Sequence, residues 1–224
     1  MNALLDQLAR KHGSDKGSEP SGRLSGKGYA AVYSQFFEPL RQNELVLLEI
    51  GVAQGASLRM WEEYFPNARI FGVDVDPECT RYESERTTVL IGDQSDTEFL
   101  RRLVGVVGSP LDIVIDDGGH HMHQHQRSLE FLFPHVERGG LYCIEDLHTS
   151  YRRSYGGGFR RHTGTIEYLK ALIDHMNRGA IRTGLRDAGP FGRFRKASLL
   201  RRFEVFEDLD AVHLSKSLAV LRKR

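Results

Sequence analysis

Two short stretches constrain this chain more than any others: Ile113-Val114-Ile115-Asp116-Asp117-Gly118-Gly119-His120 and Leu141-Tyr142-Cys143-Ile144-Glu145-Asp146. Each is an apolar run that ends abruptly in carboxylates. Continuous apolar runs of this length read as strands buried on both faces, the mark of a parallel sheet. Packing gives no reason to end two core strands in acids, because an unpaired buried charge is strongly unfavourable. Carboxylates and a histidine at strand ends suggest instead a divalent cation with a base beside it.

The two runs belong to a longer alternating programme. Leu45 to Ile50, Arg69 to Val73, Thr87 to Ile91, Asp112 to Ile115 and Gly140 to Ile144 read as strands. Between them fall helices over Ala56 to Phe65, from an Asp96 N-cap to about Val107, and from about Gln124 to His135. Strands alternating with helices imply a parallel sheet covered on both faces. Ahead of this lie helices over Asn2 to Lys11 and Tyr29 to Leu40, separated by a Gly/Ser-rich loop, so residues 1–42 read as a helical cap on a domain of residues 43–224. Beyond it, Thr165 to Asn177 should be helical. Val205-Phe206, Val212 to Leu214 and Leu218 to Leu221 are strand candidates, the last antiparallel in a terminal hairpin.

Composition narrows the function. The net charge is only +1, so no global field argues for nucleic acid or membrane. No apolar run nears the ~18 residues of a membrane span, and the N-terminus lacks the layout of a signal peptide. Cys79 and Cys143 are the only cysteines, and buried thiols in a cytoplasmic enzyme are the expectation. Charge is uneven: between Tyr151 and Arg202 stand 13 Lys and Arg against the acids Glu167, Asp174 and Asp187. A solvated basic surface accounts for this, and so does a flexible flap near 151–165 with a basic insertion near 178–202.

Glu49-Ile50-Gly51-Val52-Ala53-Gln54-Gly55 follows the first strand and opens a helix. Its glycines permit a tight turn and close approach of a ligand to the backbone. A dinucleotide fingerprint would have glycine where Ala53 stands. Asp74, at the second strand's end, is placed for ribose hydroxyls unless it merely caps a helix, and Gly92-Asp93-Gln94 ends the third strand. Three successive strand ends thus present suitable groups for adenosine on the edge where open α/β sheets bind ligands. The candidate cofactor residues are Glu49, Gly51, Gly55, Ser57, Asp74, Asp93, Gln94 and Asp116.

Glu49-x-Gly51-x-x-x-Gly55, Gly72-Val73-Asp74, Gly92-Asp93-Gln94-Ser95-Asp96, Asp116-Asp117-Gly118-Gly119-His120 and Ile144-Glu145-Asp146-Leu147, taken in order, resemble the metal-dependent sugar O-methyltransferases. The likeness runs from His12-Gly13-Ser14-Asp15-Lys16-Gly17 to Tyr151, with Gly119 where that family usually has serine. It implies a class I methyltransferase fold, a Rossmann-like sheet of seven strands with one antiparallel. It also implies S-adenosylmethionine and Mg²⁺ as cofactors and a sugar or oligosaccharide acceptor. Macrolide enzymes of this kind often carry a large extra N-terminal domain. Its absence from this sequence favours compact relatives acting on rhamnosyl groups or methylated mannose oligosaccharides, and a homodimer is the expected assembly.

In such a fold the fourth and fifth strands are neighbours, about 4.8 Å apart, so acids from both ends can meet at one ion. Asp117, Glu145 and Asp146 are three hard oxygen ligands suited to Mg²⁺, and by resemblance they match the family's metal ligands. Asp116 points the other way by strand alternation, toward the cofactor or toward support of the ligands. Simple turn chemistry before Gly118-Gly119 is the plain alternative for Asp116-Asp117. His120 is the candidate general base, since histidine titrates near neutral pH. His121, His123 and His125 crowd the same region and read chiefly as structural or exposed. Trp61 reads as core. Three other functions stay open: a catechol-type small-molecule O-methyltransferase, an iron hydroxylase built on the histidines, and a basic nucleic-acid-binding module around Phe191 and Phe194.

Overall fold

In a computed structural model of the chain, residues 3–18, 28–108, 110–178 and 203–224 are described. Seven strands make one sheet: β1 (Val46–Ile50), β2 (Arg69–Asp74), β3 (Thr87–Ile91), β4 (Leu111–Asp116), β5 (Val136–Ile144), β6 (Leu209–Ser215) and β7 (Leu218–Lys223). Their order is β3-β2-β1-β4-β5-β7-β6. The first five pair in parallel, and β7 runs antiparallel to both β5 and β6. This is the class I methyltransferase arrangement, with its single antiparallel strand.

The helices are α1 (Ala3–His12), α2 (Tyr29–Phe37), α3 (Ala56–Tyr64), α4 (Thr97–Val107), α5 (Met122–Leu132) and α6 (Thr165–Met176). Strand alternation divides the core between them. Leu47, Ile113, Ile115, Leu141 and Cys143 face Leu5, Tyr33, Phe37, Trp61 and Phe65 from α1–α3 and their edges. Leu48, Val114, Tyr142 and Ile144 face Leu100, Leu103, Leu129 and Leu169 from α4–α6. Each such fully buried Leu, Ile or Phe side chain contributes about 1.5–3 kcal/mol. Trp61 is wholly buried, in edge-to-face contact with the rings of Tyr33 and Phe37. Cys79 and Cys143 are buried free thiols.

The tail and β5 differ from the expectation. Val205-Phe206 is not a strand: Glu204–Phe206 is a single 3₁₀ turn. Its Phe206 is buried against Phe133, Tyr168 and Phe203, a wedge that an edge strand could not supply. Nor does β5 begin at Gly140. It starts at Val136 and is carried through Gly139 (φ +80°), with a break of register between the Leu111 and Ile113 pairings. The 151–165 segment is tied down by Gly157 N–H to Arg152 O, Gly158 N–H to Ser150 O and Gln126 Nε2 to Thr163 O. Residues 179–202, which hold most of the expected basic insertion, lie outside the described residues. No described helix is long and apolar enough to cross a membrane.

Candidate active site

A cavity of about 570 Å³ opens at the C-terminal ends of β1, β2, β3 and β4, within the range of small-molecule sites. Its floor is the turn after β1. Gly51 has φ +97°, and a Cβ there would lie 2.2 Å from the Asp117 carbonyl oxygen, so only glycine lets the β1 and β4 ends approach this closely. Asp74 clamps the turn: its Oδ2 accepts from Val52 N–H at 2.9 Å and Ala53 N–H at 3.0 Å, and its Oδ1 from Asp76 N–H at 3.0 Å. Burial alone would raise the Asp74 pKa, but donors from Ala53, Asp76, Val52 and Val75 together hold it below the ordinary value. Asp76, not Asp74, caps the helical turn that follows.

Of the residues expected to touch a cofactor, Gly51, Ser57, Asp74, Asp93 and Gln94 line this cavity. Glu49, Gly55 and Asp116 do not line it, each for a packing reason. Glu49 is buried and accepts from Ser57 Oγ at 2.6 Å. Gly55 (φ +66°) gives room to the Tyr82 ring, which a Cβ would meet at 2.5 Å. Asp116 is buried on the α5 side, where it accepts from Gln94 Nε2 at 2.8 Å, from Ser128 Oγ and from Tyr142 OH at 3.2 Å. Gln94 spends its Oε1 on Gly119 N–H at 2.9 Å. Asp116 thus acts at one remove, holding the amide that orients the Gly118-Gly119-His120 turn.

Two residues of the cavity lining, Asp117 and His120, converge with Asp146. Each of Asp117, His120 and Asp146 offers a metal-binding atom within 4.8 Å of the others. His120 Nε2 lies 3.4 Å from Asp146 Oδ2 and 4.0 Å from Asp117 Oδ1. His120 (φ +57°) and Asp146 (φ +54°) both sit in the left-handed region, uncommon for residues other than glycine. Such strain persists where the surroundings impose it. Here the Thr149 hydroxyl contacts both turns, donating to Asp146 O at 2.7 Å and lying 3.3 Å from His120 O. Tyr29 OH donates to Asp146 Oδ1 at 3.0 Å.

Glu145 is not in that cluster. It is buried, with Oε1 accepting from Tyr33 OH at 2.7 Å and Lys16 Nζ at 2.8 Å. Lys16 is the residue that sequence reasoning overlooked. Only 1 % exposed, its ammonium also lies 2.6 Å from Asp117 Oδ2 and 3.4 Å from Glu49 Oε1. Burial works to lower its pKa, but the charges of Asp117, Glu145 and Glu49 outweigh that and hold it well above the ordinary lysine value. Burial pushes the Glu49 carboxyl up, and Lys16 opposes the shift. A signal was present: three acids reaching the core from strand ends require a buried cation, and the His12-to-Gly17 motif holds a lysine in an otherwise small, polar loop.

The remaining histidines divide. His125 is buried on α5, its Nδ1 3.2 Å from Thr165 Oγ1, and desolvation holds its pKa below the ordinary value. His121 and His123 lie near the surface, and the His121 ring is 5.4 Å from that of Tyr155. His148 Nδ1 meets Ser217 Oγ at 2.8 Å.

Residues 48–147 match a family described as a methyltransferase domain. The chain is 39 % identical, over 77 % of its length and 46 % of the relative's, to the 8-demethyl-8-alpha-L-rhamnosyl tetracenomycin-C 2'-O-methyltransferase of Streptomyces olivaceus. It is 37 % identical, over 98 % of its length and 53 % of the relative's, to a 3'-O-methyltransferase of the same organism that acts on the 2-methoxy-rhamnosyl compound. Among solved structures, the MycE methyltransferase from the mycinamycin biosynthetic pathway, in complex with Mg, SAH and mycinamycin VI, superposes with a TM-score of 0.79 at 30 % identity. That match covers 98 % of this chain and 54 % of MycE. The chain spans about half the length of the curated relatives it matches.

Proposed function

We propose that this chain, which carries a methyltransferase domain on the class I fold, transfers a methyl group from S-adenosylmethionine to a sugar hydroxyl with Mg²⁺ in attendance. The observation that carries this reading is one wall shared by two sites: Asp117 and His120 line the cavity and also belong to the three-residue cluster. The relatives' names, rhamnosyl 2'- and 3'-O-methyltransferases among them, support the acceptor class.

The chain's groups fit both partners. The Gly51 turn, Ser57, Asp74, Asp93 and Gln94 would hold the methyl donor, Asp74 serving its ribose hydroxyls. Asp117 and Asp146 are hard oxygen donors of the kind Mg²⁺ takes. Glu145, the third acid at these strand ends, would be a further oxygen donor, its Oε1 being held by Lys16 and Tyr33. Bound Mg²⁺ supplies Lewis acidity that lowers the pKa of a coordinated hydroxyl. His120 would take the acceptor's proton at Nε2. The rest of the chain's contribution is positioning, through the turn that Gln94 and Asp116 hold in place.

The clustering of His120 with two acids also favours a second role, as a nitrogen ligand to the cation. A His120→Gln variant separates the two: a base leaves Mn²⁺ affinity unchanged, a ligand does not. We further read the first 42 residues as a cap, since Lys16, Tyr29 and Tyr33 all reach the strand-end acids.

The acceptor is proposed to be a rhamnose- or mannose-containing glycoside, a methylmannose oligosaccharide precursor being one such compound. The test is transfer of isotope-labelled methyl to a panel of rhamnosyl and mannosyl glycosides alongside catechol, with Mg²⁺ present. Label on a sugar oxygen is expected. Methylation of catechol with every sugar inert would overturn the proposal in favour of a catechol-type enzyme.

A further inference from the structure

The reaction outlined above leaves Lys16 without a part, yet it is the most deeply placed cation among the described residues near the site. Its ammonium has three protons and faces three carboxylates: Asp117 at 2.6 Å, Glu145 at 2.8 Å and Glu49 at 3.4 Å. The loop that delivers it is fixed at both ends. Lys16 O accepts from Ala30 N–H at 2.8 Å, at the start of α2, and Gly17 packs against Ala9 of α1, where a Cβ would meet Ala9 Cβ at 3.0 Å. Asp117 is thereby split between two neighbours, Oδ2 on Lys16 and Oδ1 toward His120. Glu145 Oε1 has two donors, Lys16 and Tyr33.

We infer that Lys16 is a positioning residue for the metal site, a resident counter-cation that holds Glu145 Oε1 and Asp117 Oδ2 and so leaves the divalent ion the remaining carboxylate oxygens. It keeps the affinity for that ion low. The inference rests on the reading of the acidic wall as a cation site. It follows from charge and distance alone. A positive group in contact with a ligand carboxylate repels any further cation on the same carboxylate, strongly so where water is excluded. Remove it, and buried Glu49 and Glu145 with half-buried Asp117 lose their counter-charge and become a better divalent site, at the expense of the metal-free fold.

The experiment uses the full chain and Mn²⁺ alone, with no methyl donor or acceptor, so its outcome does not depend on the acceptor class. Free Mn²⁺ is measured by its electron paramagnetic resonance signal, and thermal unfolding is followed in chelator and in excess Mn²⁺. The near-isosteric Lys16→Met should bind Mn²⁺ tighter than wild type by about tenfold or more. It should also melt lower in chelator and recover more on adding Mn²⁺. Lys16→Arg should keep the weak binding, and Lys16→Met with Glu145→Gln should restore metal-free stability and return affinity toward wild type. A folded Lys16→Met that binds Mn²⁺ no more tightly than wild type overturns the inference, as does one that stays unfolded in saturating Mn²⁺. Wild type that binds no Mn²⁺ would instead remove the cation reading on which the inference stands.

Discussion

Asp117 and His120 each face two surroundings, the cavity on one side and the acidic wall on the other. For His120 this fixes an expectation. With the base gone, the acceptor hydroxyl must lose its proton to water, and general-base catalysis typically contributes about 10²–10⁴-fold. His120→Ala should therefore lower kcat by about that factor while leaving methyl-donor affinity unchanged, read by single-turnover kinetics and calorimetry. Full turnover at neutral pH would place the base elsewhere. At this scale the sequence was legible only where neighbours in the chain decide the geometry. Alternation along β4 turns Asp116 away from Asp117, as expected, but it did not tell that Ser128, Tyr142 and Gln94 would enclose Asp116 and remove it from the cavity. Lys16 meets Asp117 across 101 positions of chain. No local spacing records such a contact, and so the same reading missed the partner that holds Glu145.

Elements were easier to read, because hydrophobic period and caps act within a few residues. β3 over Thr87–Ile91 and the Asp96 cap of α4, which accepts from Glu98 N–H at 2.9 Å, emerge as expected. α5 begins two residues early, at Met122, because the Gln124 side chain reaches back to His121 N–H at 3.1 Å and closes the first turn. That same helix carries a pH response. Burial lowers the His125 pKa in the folded chain, so below about 6.5 the unfolded chain takes up a proton that the folded chain resists. Stability is then present above that pH and is lost as pH falls toward the lowered value. Urea unfolding of His125→Gln, which keeps a polar partner for Thr165 but cannot titrate, should lose less stability than wild type between about pH 7 and pH 5. Parallel declines in the two proteins would assign the acid sensitivity to other groups.

For the whole molecule, topology explains why the site lies where it does. The order β3-β2-β1-β4 sets the Gly51 turn, Asp74 and the Asp93-Gln94 turn side by side, and the β4–β5 pairing brings Asp117 beside Asp146. The cavity and the acidic wall therefore meet at β4 through strand adjacency, on the edge where open α/β sheets bind ligands. Strand order could not reveal how the N-terminal helices close over that edge and insert Lys16, Tyr29 and Tyr33 among the acids. The central claim is that catalysis needs a divalent cation on this wall, and the most direct measurement is methyl transfer to an accepted glycoside in excess chelator, followed by titration with Mg²⁺. Turnover should fall to background in chelator and return as Mg²⁺ exceeds it, with Asp117→Asn failing to recover; undiminished turnover in chelator would contradict the account.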